Sequence, residues 1–415
     1  MTRRERVLAA VAHREPDRVP VDCGAMRSTG ITAAAYGRLK EFLGLSGGSI
    51  DVYDVIQQLA RPEQAVLDFF DSDVVDLGRV FLTDDADWKP FVLPDGQPAR
   101  IPAYINIVPD GAGGRLALAA DGTPIGAMPA ESFFLDQTVF PLLEWDGADL
   151  SVLDRLAEYQ NHVTWAALPS PPHHLPPTPE NLAEIRRRAE ILRDTTDYAI
   201  MAGFGGNLIE WGQFLRRMDR FLMDLAAEPR AAAALLDKLV ESHLSALARF
   251  LPAVDGAADI IQMGDDLGTQ NGLQISPRMY REVFKPRQRI LFDFIKKHSN
   301  LKIFLHSCGA IADILPDLIE VGVDIINPVQ TSAKGMDPDR LKREFGKDIT
   351  FWGGGCDSQR ILPLGTPGEI ENHVRDRIRT FAPGGGFVFT PVHNIMPHVP
   401  PRNVAAMVEA VQKFR

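Results

Sequence analysis

His306 and Cys308 stand two residues apart at the end of a short apolar run, in the stretch KIFLHSCGAIADILPDLIEVGVDIINP over 302–328. In an extended strand, residues i and i+2 point to the same face, so both side chains can reach one ion. A neutral imidazole and a thiolate make a typical zinc pair, with bonds of about 2.0–2.1 Å and 2.3 Å. Two ligands do not hold a catalytic zinc, so at least one more has to come from another strand. By topology His393, ending the last strand, is the nearest candidate and Cys356, ending the strand before it, the second, and Asp265 or Asp266 could add a carboxylate. Three protein ligands with a fourth position open would make a Lewis-acid centre. The plain structural alternative is a histidine bonded to a backbone carbonyl beside a quietly packed cysteine.

Such residues need a scaffold that brings distant strand ends together. Eight apolar, β-branched runs recur along the chain: 18–24, 72–78, 197–206, 258–268, 301–309, 323–330, 348–355 and 385–394. They read as continuously apolar, which marks strands buried on both faces, as in parallel sheets covered by helices. Helical patterns lie between them at 33–43, 51–70, 180–194, 219–250, 277–298, 310–321, 337–345, 367–380 and 401–413. Ser276-Pro277 and Thr366-Pro367 supply a cap residue followed by proline in the first turn. This rhythm predicts an α/β fold, a (β/α)8 TIM barrel. An open doubly wound sheet is the alternative, but GFGGN at 203–207 lacks the full dinucleotide-binding spacing.

The rhythm breaks over 79–145, where Asp-Gly turns separate short strand-like segments. We expect a single barrel domain over 1–415 with 79–145 as a β-hairpin insertion after strand two. The proline-rich segment 165–180 is expected to be stiff and exposed, with His173 and His174 facing solvent.

Barrel enzymes place their working residues at the C-terminal ends of the strands. That rule nominates Asp22, Cys23, Arg27, Asp76, Gly205, Asn207, Asp265, Asp266, His306, Cys308, Asn327, Gln330, Cys356, Asp357, Gln359, His393 and Asn394. Arg27, just after strand one, suits a clamp for a carboxylate or phosphate. Asp265 and Asp266 suit acid–base or anchoring roles, and because adjacent strand residues point opposite ways only one of them should face the centre. Asn207 and Gln330 are candidate cofactor contacts. Glu210 and Arg216–Arg217 are explained by pairing on one helix face.

Composition narrows the function classes. A net charge of −11 argues against nucleic acid or an anionic membrane as general partners. Three cysteines in 415 residues are too few for a disulfide framework and fit a reducing compartment. No run of about twenty apolar residues exists, and the first twenty residues lack the apolar core of a signal peptide. A cytoplasmic location is expected.

RERVLAAVAHREPDRVPVD, DDLGTQNGLQISPRMYREVFKPRQ and FLHSCGAIADILPDLIEVGVDIINPVQ together resemble the uroporphyrinogen decarboxylase superfamily. The likeness is closer to its branch of methylcobamide:coenzyme M methyltransferases. It implies a barrel with the pocket at its C-terminal mouth, and in that branch a zinc held by a His-x-Cys pair and a later cysteine on the last strand. His306 and Cys308 match the pair, whereas TPVHN puts His393 where the later cysteine would stand. The decarboxylase branch carries an MRQAGR element whose arginines bind tetrapyrrole propionates. Here the stretch reads MRSTGI, with Arg27 matching the first arginine and the second absent. The resemblance therefore implies zinc-dependent methyl transfer between a corrinoid, carried by a partner protein, and a small-molecule donor or thiol acceptor. A homodimer is the assembly common in the family. The competing expectations are a cofactor-free decarboxylase using Arg27 with Asp265 or Asp266, and a non-catalytic corrinoid or tetrapyrrole binder.

Overall fold

The computed structural model covers residues 1–415. Seven parallel strands lie side by side in chain order: Val74–Asp76, Ala199–Gly205, Ile260–Gly264, Lys302–His306, Ile325–Asn327, Thr350–Trp352 and Phe387–Val388. The 18–24 run closes the ring between the first and last of these. Val21 bridges Phe389 in parallel; Asp22 N donates to Phe389 O at 2.9 Å, and Asp73 N donates to Val21 O at 2.7 Å. All eight expected runs are thus staves of one (β/α)8 barrel.

Alternation along the staves sends every second side chain inward. Val74, Met201, Ile260, Phe304, Ile325, Trp352 and Val388 fill the interior, with Val7, Ala10 and Val11 of the helix Arg3–Val11 packed against the same cluster. Intervening positions such as Val75, Ile261, Ile303 and Ile326 pack outward into the main apolar core. The barrel interior is therefore largely a packed apolar core, and barrel enzymes of this kind carry their chemistry at the mouth.

Helix starts follow local rules. Ser276 accepts from Met279 N and Thr366 from Glu369 N, each ahead of a proline in the first turn. Between the stave Val74–Asp76 and the stave Ala199–Gly205 lie an antiparallel pair, Trp88–Val92 with Pro98–Pro102, and a four-stranded antiparallel sheet running from Asn106–Pro109 to Asp136–Gln137. No helix is long and apolar enough to cross a membrane.

Three helical expectations change. The 51–70 segment begins as a hairpin, Val52–Asp54 with Leu59–Ala60, and only Gln64–Phe70 is helical. Asp54 takes the Ile56 and Gln57 N–H groups into a side-chain-stabilised turn, and Pro62 separates hairpin from helix. The 219–250 segment is two helices, Met218–Ala227 and Pro229–Val254, split where Pro229 cannot continue the first. The 277–298 segment widens to an i→i+5 turn over Tyr280–Phe284 before Lys285–His298.

The proline-rich connection is packed in its middle rather than exposed throughout. Leu168, Ser170, Pro171 and Pro172 are buried. His173 remains exposed at its edge, with Nε2 2.6 Å from Gly203 O. His174 is half-buried and stacks on Tyr104 at 5.0 Å.

Candidate metal centre

The pair at the end of Lys302–His306 faces inward, as the alternation from buried Phe304 requires. His306 stands level with Gly264 on one neighbouring stave and Asn327 on the other. Its Nδ1 lies 2.6 Å from Asn327 Oδ1 and 2.8 Å from Ser28 Oγ. Asn327 Nδ2 in turn donates to Trp352 O at 2.8 Å, which fixes the amide so that its oxygen faces the imidazole. Nδ1 therefore carries the proton, and the lone pair sits on Nε2. That nitrogen is 3.3 Å from Cys308 Sγ.

His393 completes the group. One ligand atom each from His306, Cys308 and His393 lies within 4.8 Å of the others. The two imidazoles meet edge to face, centroids 5.5 Å apart. His393 has a φ of 70°, a backbone conformation rare for a residue with a side chain, so the surroundings hold it there. Burial, reinforced by His306, pushes its pKa down to about 4, so the ring is neutral at physiological pH; its Nδ1 accepts from Asn394 N at 2.9 Å, a contact that a metal bound at that nitrogen would displace.

Cys308 is placed by a close crossing of two loops. A Cβ on Gly309 would come within 2.6 Å of Gly268 C and Thr269 O, and one on Gly268 within 2.5 Å of Cys308 O. Only glycines allow that approach, and Gly309 also needs its φ of 86°. Cys308 N donates to Asp266 Oδ1 at 2.8 Å, and the same oxygen is 3.5 Å from His306 Nε2. Burial, then Asp266 and Glu210, push the Cys308 thiol strongly up. A free thiolate is thus disfavoured, and a divalent cation would reverse that balance. The set of two imidazoles, one sulfur and an adjacent carboxylate, with one imidazole tautomer fixed from behind, is chemically fitted to hold a metal ion.

The remaining nominated residues fall into place around this group. Cys356 is fully buried, its thiol pushed up by burial, and it lies outside the cluster; geometry brings His393, not Cys356, to the His-x-Cys pair. Asp265 turns the other way from Asp266. Its Oδ1 accepts from Ile209 N at 2.8 Å and Glu210 N at 3.3 Å, capping the helix Ile209–Arg216, and Gln288 Nε2 donates to its Oδ2 at 3.3 Å. Burial raises its pKa to about 7. Arg27 Nε is 2.7 Å from Asp54 Oδ2, and its guanidinium donates to Ser170 and lies over Trp165, so much of its hydrogen-bonding capacity is already taken up. Gln330 Oε1 accepts from Gly309 N at 2.9 Å and so braces the Cys308 loop. Asn207 fills the space that a side chain on Gly264 would occupy and donates to Glu210.

Glu210 is the residue that sequence reasoning assigned elsewhere. It does not pair along its helix: Arg216 pairs with Asp224 and Arg217 with Asp219. Instead Glu210 Oε2 accepts from Asp266 N at 3.0 Å. Burial, then Asp266 and Asp265, push its carboxyl well above the usual range. The signal was available: Glu210 lies three residues after the nominated Asn207, in the first turn of the helix that follows a strand end.

Asn327→Ala removes the shorter of the two oxygen contacts of His306 Nδ1–H, leaving Ser28 Oγ, without touching the ligand atoms. Loss of such an outer partner typically costs about 10–100-fold in metal affinity. Competition with a chromophoric chelator measures this; unchanged affinity would mean that the Asn327 contact does not orient His306 for a metal.

The fold and mouth define an α/β-barrel with a cluster of possible metal ligands at the C-terminal ends of its strands. Residues 161–414 match the family model described as uroporphyrinogen decarboxylase, and the chain belongs to that family of enzymes. Uroporphyrinogen decarboxylase of Legionella pneumophila is 24% identical over 249 residues, 58% of this chain and 66% of the relative's length, just under two thirds of it. That of Coxiella burnetii is 23% identical over 310 residues, 72% of this chain and 81% of the relative. Among solved structures, a methyltransferase from Methanosarcina mazei superposes with a TM-score of 0.57 at 18% identity, over 100% of this chain and 99% of the other. That likeness supports the shared fold.

Proposed function

We propose that this chain is a zinc-dependent methyltransferase that moves a methyl group between a corrinoid carried by a partner protein and a small-molecule donor or thiol acceptor. One observation carries the reading: His306 Nε2, Cys308 Sγ and a His393 nitrogen converge at the barrel mouth, with the His306 tautomer set by Asn327. Zinc, when bound there, would supply Lewis acidity toward a thiol, ether or amine group of the substrate. His393 and His306 offer neutral nitrogens. Asp266, against the Cys308 backbone and near its sulfur, is placed to take the thiol proton. Glu210, with its raised pKa, is the group we assign to carrying a proton to or from the substrate near neutral pH. We read 1–415 as one barrel domain with 79–145 inserted, working in the cytoplasm, as a homodimer after the habit of the family.

The test joins two measurements on the purified protein. Metal analysis is expected to find about one zinc per chain, as three protein ligands to one ion require. Mixing with methylcobalamin, or with cob(I)alamin and candidate methylated donors, is expected to give the absorbance change of methyl transfer. The second reading, a cofactor-free decarboxylase, rests on the names of the sequence relatives. Carbon dioxide release from a carboxylated substrate by protein freed of metal, with no corrinoid reaction, would favour that reading over ours.

A further inference from the structure

Arg79, at the end of the stave Val74–Asp76, has no explanation in the mouth chemistry. It sits in the single turn Leu77–Val80 and is half-buried. No carboxylate pairs with it and none of its guanidinium N–H groups finds a hydrogen-bond acceptor in the protein; burial lowers its pKa, with Arg61 adding to that and Tyr198 and Asp76 opposing it from a distance. Arg6, Arg61 and Arg216, which are also withdrawn from solvent, are each held by carboxylates. An unpaired, partly desolvated guanidinium has a large unmet demand for an anion.

Its surroundings are shaped to meet that demand. Arg79 faces a cleft of about 290 Å³ lined only by Asp51, Arg61, Pro62, Glu63, Gln64 and Thr83 besides itself. The two acids on this wall are already engaged: Asp51 pairs with Arg61 at 2.9 Å and Arg100 at 2.8 Å, and Glu63 with Lys40. Arg79 is the charge left over. The Thr83 hydroxyl and the Gln64 amide on the same lining could add neutral donors. An anion between Arg79 and Arg61 would also relieve the repulsion between two like charges facing one space.

We propose that this cleft is a second ligand site, separate from the metal centre, which takes a small oxyanion: the phosphate or carboxylate group of a metabolite, gripped by Arg79. The fork of the guanidinium matches both groups in geometry, and lysine could not reproduce it.

The test is isothermal titration of the full-length protein with inorganic phosphate and, separately, with acetate at constant ionic strength. Saturable binding of at least one is expected, weakened about tenfold or more in Arg79→Gln, as loss of a charge-assisted fork implies. Arg79→Lys should bind with intermediate strength. Thr83→Val gives an independent reading on the cleft should Arg79→Gln not fold, and it too should weaken binding. Preference for phosphate or for acetate tells which source of oxyanion the site serves. Binding unchanged in Arg79→Gln, or in Thr83→Val and Arg79→Lys together, would place the anion elsewhere and overturn the proposal. So would the absence of saturable binding of either probe to the wild-type protein.

Discussion

Cys308→Ala is expected to abolish bound zinc and methyl transfer together while leaving the barrel folded. Cys308 supplies the only sulfur in the cluster, and its loss leaves two imidazoles. Outer-shell changes cost about 10–100-fold in affinity or activity, so removing a direct ligand should exceed that range in both. The fold should tolerate the change. Cys308 is only partly buried and lies beyond its strand, and the crossing of Gly309 with Gly268 that shapes the loop is backbone against backbone. The pH dependence of loading gives a second signature. Metal binding must displace the Cys308 proton, and burial with Asp266 and Glu210 holds that proton tightly, so wild-type affinity should rise as pH rises. Metal analysis, a chelator titration across pH and the corrinoid absorbance assay read these outcomes. Stoichiometric zinc with full activity in Cys308→Ala would remove the basis of the methyl-transfer reading.

Periodicity and strand-end logic carried the barrel because each stave is an apolar run ended by Gly, Asp or Asn, a signal local to the chain. The inward pairing of His306 with Cys308 was legible for the same reason: it follows from alternation over three residues. The choice between His393 and Cys356 was not local. It depends on how the loops after the last two staves turn, and the left-handed backbone at His393 has no signature in a Val-His-Asn sequence. Asp265 and Asp266 were correctly expected to diverge, but which of them faces the centre depends on where the neighbouring helix begins, since Asp265 is spent on capping Ile209–Arg216. Glu210 was misread because a carboxylate followed by two arginines suggests pairing within the helix. The spacing of six and seven residues does not put those side chains side by side, and three-dimensional partners took both arginines. The hairpin at 52–60 was missed because its helix-like apolar spacing is overridden by the turn that Asp54 stabilises.

The same closed ring that presents Ser28 to His306 depends on one buried ion pair at the opposite end of the staves. Arg6 Nη1 is 2.5 Å from Asp73 Oδ1, with side-chain exposures of 6% and 0%. Asp73 Oδ2 also accepts from Val21 N at 2.9 Å, so this carboxylate links the first helix to the two staves where the barrel closes. Burial raises the Asp73 pKa in spite of the guanidinium, so desolvation outweighs the attraction of the charges. The pair is therefore better understood as an orienting device than as a source of net electrostatic stability, and its worth depends on both members being present. Arg6→Met strands the Asp73 carboxylate and should cost about 3–5 kcal/mol, the range for breaking a buried pair. Arg6→Met with Asp73→Asn keeps an acceptor for Val21 N but removes the stranded charge, and should recover at least about 1 kcal/mol, since interacting residues are non-additive on that scale. Urea unfolding of the wild type, both single variants and the double variant measures the coupling directly. Additive losses would mean that the two residues act independently and that the barrel seam is held by its backbone hydrogen bonds alone. Zinc content of each variant under folded conditions should stay near wild type, because the seam positions the metal-competent mouth without taking part in it.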